Sequence, residues 1–192
     1  MNTSLKSYLY IILVAFLAFS CGKNVKSTEE ETTKETTADE TTALTVLADS
    51  ADTMWAVMIK DDDLKLGYLK RLLDEVSYTN SYNKITYDSL VADLDLLVKS
   101  RYTQKTMSAS DKIDAYDMET TYLESQIFDF AQNHPRFEEY PLMKELINDI
   151  AGIDNQTIYH RMHYDNAAIA YNTFIDENNL DAAKKSLFQI TE

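Results

Sequence analysis

The chain has 192 residues, only three glycines and two prolines, and 32 acidic residues against 18 Lys and Arg, for a formal net charge of −14. Phosphate backbones and anionic headgroups repel such a polyanion. The composition therefore argues against nucleic acid as a partner and against membrane binding through a basic surface.

The first 20 residues have the layout of a secretory signal peptide. One cation, Lys6, precedes an apolar run from Tyr8 to Phe19, and small residues flank the expected cleavage point. This run of about twelve residues is shorter than the roughly twenty that a membrane-spanning helix needs, so an uncleaved anchor is the weaker alternative. We therefore predict that residues 1–20 are removed.

Cys21 is the only cysteine, so it has no partner for an intramolecular disulfide. The sequence Ala18-Phe19-Ser20-Cys21 resembles the bacterial lipobox, although Phe19 is bulkier than usual and Leu17 lies one place early. Cys21 is the predicted lipidation site, and acyl chains at about 0.8 kcal/mol per buried methylene make such an anchor effectively permanent. The expected product is a membrane-anchored extracytoplasmic lipoprotein, facing the periplasm or on the cell surface, in the inner or the outer membrane.

Residues 21–43 comprise this cysteine and a segment rich in Thr and Glu, with almost no apolar side chains. Such a segment cannot bury a core, so we predict a disordered tether that spans roughly 25 Å as a random coil. The acids after Lys26 also resemble the surface-export signals of some outer-membrane lipoproteins, a match that any acidic tether would give.

Residues 44–192 show helical spacing of apolar residues and are predicted to form one helical domain. The first helix is expected from about Thr45 to Tyr78, with a rotation or bend at the solvated acidic run Asp61–Asp63. The second is expected over Ile85–Tyr102. Their predicted core positions are Leu47, Ala51, Met54, Met58, Leu69, Leu72, Val76, Leu90, Leu94, Leu97 and Val98.

A third helix is predicted over Asp111–Gln132, with Ser110 and Asp111 as candidate N-caps and Pro135 beyond its end. A fourth starts at Pro141 and continues to about Asn178, and a short amphipathic helix covers 180–190. The core positions are Ile113, Tyr116, Tyr122, Leu123, Ile127 and Phe130, then Leu180, Ala183, Leu187 and Ile190. The predicted fold is all-α, an elongated antiparallel bundle of three or four long helices.

The most distinctive pattern lies in the last long helix: Asp154-Asn155, Arg161, Tyr164-Asp165, Ala168 and Tyr171-Asn172-Thr173-Phe174-Ile175. It resembles the closing helix of the LemA family, in which an acid and an Asn precede an Arg and two Tyr-Asn steps. Tyr140-Pro141 with Lys144 is similar to that family's Tyr-Pro-x-Leu-Lys helix start. The resemblance implies a membrane-attached helical bundle of the cell envelope, in a family without an established enzymatic activity.

The chain departs from that family pattern in several places. Asp165 stands where the family has Asn, Met143 stands where it has Leu, and the stretch between Pro141 and Arg161 is shorter than usual. Trp55 lies where the first-helix motif is expected, but the paired Arg and the Leu-Ile-Pro-Asn segment are missing. We therefore expect a divergent member.

Six residues of this helix form what we call the seam: Asp154, Arg161, Tyr164, Ala168, Tyr171 and Asn172. Apart from Asn172, they step by seven, three, four and three residues, which is heptad spacing. We expect the two tyrosines to bury their rings with hydroxyls bonded between helices, and Arg161 to pair with an acid of a facing helix. The alternative is that the seam lines a binding groove.

The sequence predicts no catalytic residues, no cofactor and no metal site. His160 and His163 lie three residues apart, but the Glu-x-x-His pairs of di-iron bundles and the His-Glu-x-x-His motif of zinc proteases are absent. Asp61–Asp63 lacks the alternation and glycine of a calcium loop.

The leading functional hypothesis is a non-enzymatic, lipid-anchored envelope protein whose helical faces bind another envelope protein. The alternative is a module that holds a small or hydrophobic molecule among the 13 tyrosines of the chain. A metal-dependent enzyme is the third hypothesis.

Overall fold

A computed structural model describes residues 28–189. It contains four α-helices: α1 is Thr28–Tyr78, α2 is Lys84–Ser100, α3 is Ser110–Gln132 and α4 is Pro141–Glu177. A short 3₁₀ helix, Phe137–Glu139, precedes α4, and no strand occurs within the described range. The all-α helical bundle is confirmed. The predicted signal peptide, Cys21 and Ile190 lie outside the described residues.

Most helix ends lie where the sequence predicts them. α1 ends at Tyr78, α3 ends at Gln132, and α4 begins at Pro141 and ends at Glu177. Asn179 follows with a φ of 52°, a left-handed conformation that terminates helices. These ends are predictable because the signals are local: a proline or a left-handed residue interrupts the helical backbone itself.

The helix starts agree less well with the predicted caps. Ser110 is the first residue of α3, and the N-cap is Ala109, which makes no side-chain capping bond, so the predicted cap is wrong. α2 does have a side-chain cap, which the sequence did not predict: Asn83 Oδ1 accepts hydrogen bonds from the N–H groups of Ile85 and Thr86 at 3.0 and 3.2 Å.

α1 begins at Thr28, so the structure places residues 28–43 in a helix where the composition predicts a disordered tether. A composition that cannot bury a core can still form a helix, because helical backbone hydrogen bonds are internal and Glu, Lys and Ala favour this conformation. The chain divides into two compact units between Thr42 and Ala43.

α1 also continues without interruption through Asp61–Asp63. The predicted solvated charge run holds only for Asp63, whose side chain is 62% exposed, and is wrong for Asp61 and Asp62, whose side chains are each 13% exposed. Asp61 bonds to His160 of α4, and Asp62 accepts hydrogen bonds from Arg101 and Tyr116 at 2.9 and 2.8 Å. Partners from other parts of the bundle therefore satisfy these two half-buried carboxylates, and the local sequence does not show those partners.

The core lies along the predicted stripes of all four helices. Its fully buried side chains include Ala51, Leu69, Leu72, Leu73, Val76, Ile127, Ala131, Met143, Ile150, Tyr164 and Ala168. The prediction of a core position is wrong for Val98 and Tyr122, which are 49% and 67% exposed. Leu94 and Leu97 already occupy the buried face of α2, which turns the adjacent Val98 outward. None of the helices in the described range is long and apolar enough for a membrane span.

Residues 180–189, here called the strap, contain no helix, so the predicted amphipathic terminal helix is wrong. Side chains of α4 hydrogen bond to backbone groups of Lys185 and Phe188, which a helix would need for its own hydrogen bonds. Leu187 and Phe188 still pack against the core, as apolar residues of an irregular segment.

Candidate functional site

The seam lies along one side of α4, and the structure divides it into two parts. Tyr164, Tyr171 and Asn172 contact the strap, and Arg161 lies beside them. Asp154 is separate, since its Oδ1 accepts a hydrogen bond from Nζ of Lys65 in α1 at 2.7 Å. The candidate site is therefore the cleft at the C-terminal part of the seam, together with the strap that occupies it.

Arg161 forms one wall of this cleft. Its guanidinium donates two hydrogen bonds to the Asp117 carboxylate of α3, at 2.6 and 2.7 Å, and a third to the Tyr102 hydroxyl at 2.9 Å. The predicted pairing with an acid of a facing helix is confirmed. Burial lowers the pKa of Arg161, but the bonds to Asp117 and Tyr102 outweigh burial and leave that pKa raised, so the cation is permanent.

An aromatic enclosure surrounds Phe188 of the strap. The Trp55 ring stacks on it at 6.3 Å between centroids with an interplanar angle of 12°, and Tyr102 and Tyr164 meet it edge-on at 5.9 and 5.6 Å. The Arg161 guanidinium carbon lies 5.0 Å from the centre of the same ring. Three rings and a cation on one phenyl group form a specific pocket for an aromatic side chain.

Burial of this enclosure also affects its tyrosines. It raises the pKa of Tyr102 to about 12, although the Arg161 cation opposes the shift, and it raises the pKa of Tyr164 as well. Both hydroxyls therefore stay protonated across the physiological pH range: that of Tyr102 accepts a hydrogen bond from Arg161, and that of Tyr164 donates one to the Ser186 carbonyl.

The cleft binds the strap largely through its main chain. Asn172 makes two bonds to one residue, since its Oδ1 accepts the N–H of Lys185 and its Nδ2 donates to the Lys185 carbonyl, both at 2.8 Å. Tyr164 donates its hydroxyl to the Ser186 carbonyl at 3.0 Å. The predicted bonding of the seam tyrosines between helices is therefore wrong, because the non-helical strap provides the acceptors.

Asp165 completes these contacts. Its side chain is buried, and its Oδ1 accepts the N–H of Phe188 at 2.7 Å. A buried carboxylate is costly unless hydrogen bonds satisfy it, so this contact matters to both groups. In the sequence, Asp165 is notable only because it stands where the LemA-like pattern has Asn. The sequence does not show that this side chain is buried against the strap.

A charged contact fixes Lys185 in the same cleft. Its Nζ pairs with the Asp52 carboxylate of α1 and lies 5.4 Å from the centre of the Tyr171 ring. Partial burial opposes ionisation of Asp52, but the hydrogen bonds from Lys185 and Gln104 outweigh it and leave the pKa of Asp52 lowered.

Sequence reasoning missed Asp52, Tyr102, Lys185 and Phe188 as members of the site. They come from α1, from the α2–α3 connection and from the strap, so no single periodic pattern contains them. The one available signal is Phe188 itself, an aromatic residue three positions after a lysine.

The two histidines of α4 have different surroundings. His160 Nδ1 pairs with Asp61 of α1. His163 packs against the Tyr159 ring at 4.1 Å, and its buried Nε2 has no hydrogen-bond partner in the structure as described. Within residues 28–189, no group of three His, Cys, Asp or Glu side chains is arranged to hold a metal ion.

A second surface feature is a groove between α2 and α3 with a volume of about 690 Å³. Leu90, Leu97 and Leu123 form its buried floor, and three large apolar side chains, Ile85, Leu96 and Tyr122, stand 83, 62 and 67% exposed along it. Asp93 and Glu119 are the charged residues of its lining. This groove is apolar inside and acidic at its edge.

No family model, curated protein or solved structure matches this chain. The function is therefore inferred from the chemistry of these two sites and from the sequence motifs.

Proposed function

We propose that this protein is a non-enzymatic, lipid-anchored protein of the cell envelope, of the LemA-like type, whose helical bundle binds another protein. The lipobox-like sequence ending at Cys21 supports the anchor, and the seam pattern from Asp154 to Asn172 supports the relationship to LemA. The observation that carries the binding function is the groove between α2 and α3.

The groove fits an amphipathic helix of a partner protein. Ile85 and Leu96 of α2 and Tyr122 of α3 expose apolar side chains along it, and such a groove between two helices can receive the apolar face of a third. Asp93 and Glu119 at the edge, on a chain with a net charge of −14, favour a partner with Lys or Arg beside that apolar face.

The alternative occupant is a small hydrophobic molecule. The groove volume of about 690 Å³ lies within the usual range for ligand pockets, which is roughly 300–1,000 Å³. The alternative predicted from the tyrosines places such a ligand inside the bundle, whereas this groove lies at the surface and is lined by one tyrosine, Tyr122.

Leu96→Glu tests the groove, and Val98→Glu is its matched control. Both residues are exposed apolar side chains of α2, but only Leu96 lines the groove. After cross-linking in native envelopes, we expect one protein to be enriched with the wild type and with Val98→Glu. With Leu96→Glu the enrichment should fall by about tenfold or more, because a charge is placed in the apolar contact.

Equal recovery of that protein with Leu96→Glu and Val98→Glu would remove the groove as the binding surface. A small-molecule site would give a different result. The same proteins would be recovered with the wild type and with Leu96→Glu, but a lipid or metabolite would co-purify with the wild type alone.

A further inference from the structure

The strap occupies its cleft in the manner of a bound peptide. Within residues 180–189, one backbone hydrogen bond forms, from the Ala182 N–H to the Leu180 carbonyl, and the first residue, Leu180, donates its N–H to the Ile175 carbonyl of α4. From position 183 onward its backbone bonds are to side chains of α4 instead. Main-chain N–H and carbonyl groups, which every peptide possesses, therefore hold the strap in place.

Two strap side chains add selectivity to these main-chain bonds. Phe188 fills the enclosure of Trp55, Tyr102 and Tyr164, and Lys185 pairs with Asp52. The cleft thus binds a non-helical backbone together with a lysine and, three positions later, an aromatic residue.

The charge of the cleft agrees with this reading. Asp52 and Asp165 both contact the strap, and Lys184 of the strap pairs with Asp176 at the end of α4. An acidic cleft around a segment with two adjacent lysines is electrostatically complementary to a basic peptide.

We propose that this cleft is a recognition site for an extended peptide of a partner protein that carries Lys-x-x-Phe or a similar aromatic, and that the strap occupies it in cis. The cleft is separate from the groove between α2 and α3 and does not depend on the function assigned to that groove. Because the strap is attached to α4, its effective concentration is on the order of millimolar, so it competes with any peptide supplied in trans.

The test uses the full chain and a fluorescent peptide with the sequence of residues 181–189. Phe188→Ala weakens the strap but leaves the walls of the cleft intact. We expect this variant to bind the peptide about tenfold or more tightly than the wild type does, measured by fluorescence anisotropy, because the cis competitor is weakened. A peptide with alanine in place of its phenylalanine, or of the lysine three positions before it, should bind about tenfold more weakly.

Two further variants locate the binding. Adding Asn172→Ala to Phe188→Ala should abolish the gain in affinity, since Asn172 holds the peptide backbone. Adding Leu96→Glu should leave the gain unchanged, so the result is independent of the α2–α3 groove. A folded Phe188→Ala variant that binds the peptide no better than the wild type overturns the proposal.

Amide hydrogen exchange of the wild type provides a test that needs no substitution. We expect the N–H groups of Lys185 and Phe188 to exchange through a local opening, faster than the buried amides of α4. Exchange of these two amides only by global unfolding would show that the strap does not leave the cleft, and would overturn the proposal.

Discussion

The half-buried Glu124 makes the stability of the bundle depend on pH. It lies on α3 between Lys65 of α1 and Asp154 of α4, with Lys65 Nζ 3.8 Å from its carboxylate and 2.7 Å from that of Asp154. Burial and the charge of Asp154 raise the pKa of Glu124 to about 7, and Lys65 only partly opposes them. The folded protein therefore keeps a proton that the unfolded chain releases above about pH 4.5.

Replacing Glu124 by Gln should reveal this proton. Because the folded-state pKa is raised, the stabilisation by protonated Glu124 is complete below about pH 4.5 and is lost as the pH rises through about 7. Over this interval we expect the wild type to lose on the order of 2 kcal/mol of unfolding free energy relative to Glu124→Gln, in urea titrations at several pH values. The control, Glu145→Gln, changes an exposed acid of α4 and should keep the wild-type slope. A Glu124→Gln slope equal to that of the wild type would contradict the raised pKa.

At the scale of the elements, His134 joins two connections of the bundle. The Arg136 N–H donates to His134 Nδ1 at 3.1 Å, so the ring hydrogen is on Nε2. Nε2 lies 2.8 Å from the carbonyl of Ser81 and 2.9 Å from Oγ1 of Thr79. One buried ring therefore holds the α1–α2 connection against the α3–α4 connection.

His134→Ala should cost about 2–4 kcal/mol of unfolding free energy, because it leaves a cavity and buried polar groups without their partner. His163→Ala is the matched control and should cost about 1 kcal/mol or less, since the buried His163 Nε2 makes no hydrogen bond in the part of the protein described. Chemical denaturation of both variants measures the difference. Equal losses would show that the His134 contacts do not stabilise the two connections.

At the scale of the whole molecule, the acidic charge and the proposed anchor act together. A chain with 32 acids and 18 Lys and Arg is not attracted to anionic headgroups, so we expect the proposed membrane association to depend on acyl chains at Cys21.

Cys21→Ala should therefore move the protein from the membrane fraction to the soluble fraction and abolish labelling by a palmitate analogue. The wild-type protein should remain with the membranes in high salt, because salt screens electrostatic contacts but does not weaken acyl insertion. Fractionation and immunoblotting of both proteins measure this. Retention of Cys21→Ala in the membrane fraction would contradict the lipid anchor.

The sequence by itself determined the helical class, most helix ends and most of the buried stripe. These features depend on neighbours along the chain: Leu69, Leu72 and Val76 share one helical face, and Pro141 and Asn179 act on their own backbone. It also predicted that Arg161 pairs with an acid, because a buried guanidinium requires one.

Only the tertiary structure decided which acid pairs with Arg161, and which residues the other side chains of the cleft contact. Asp117 is 44 positions from Arg161, and Asp52 is 133 positions from Lys185. The predicted helix over 180–190 is wrong for the same physical reason: the side chains of Asp165 and Asn172 hydrogen bond to the strap backbone and so compete with helix formation there. Contacts at such separations depend on how the helices pack, and no local pattern of residues specifies them.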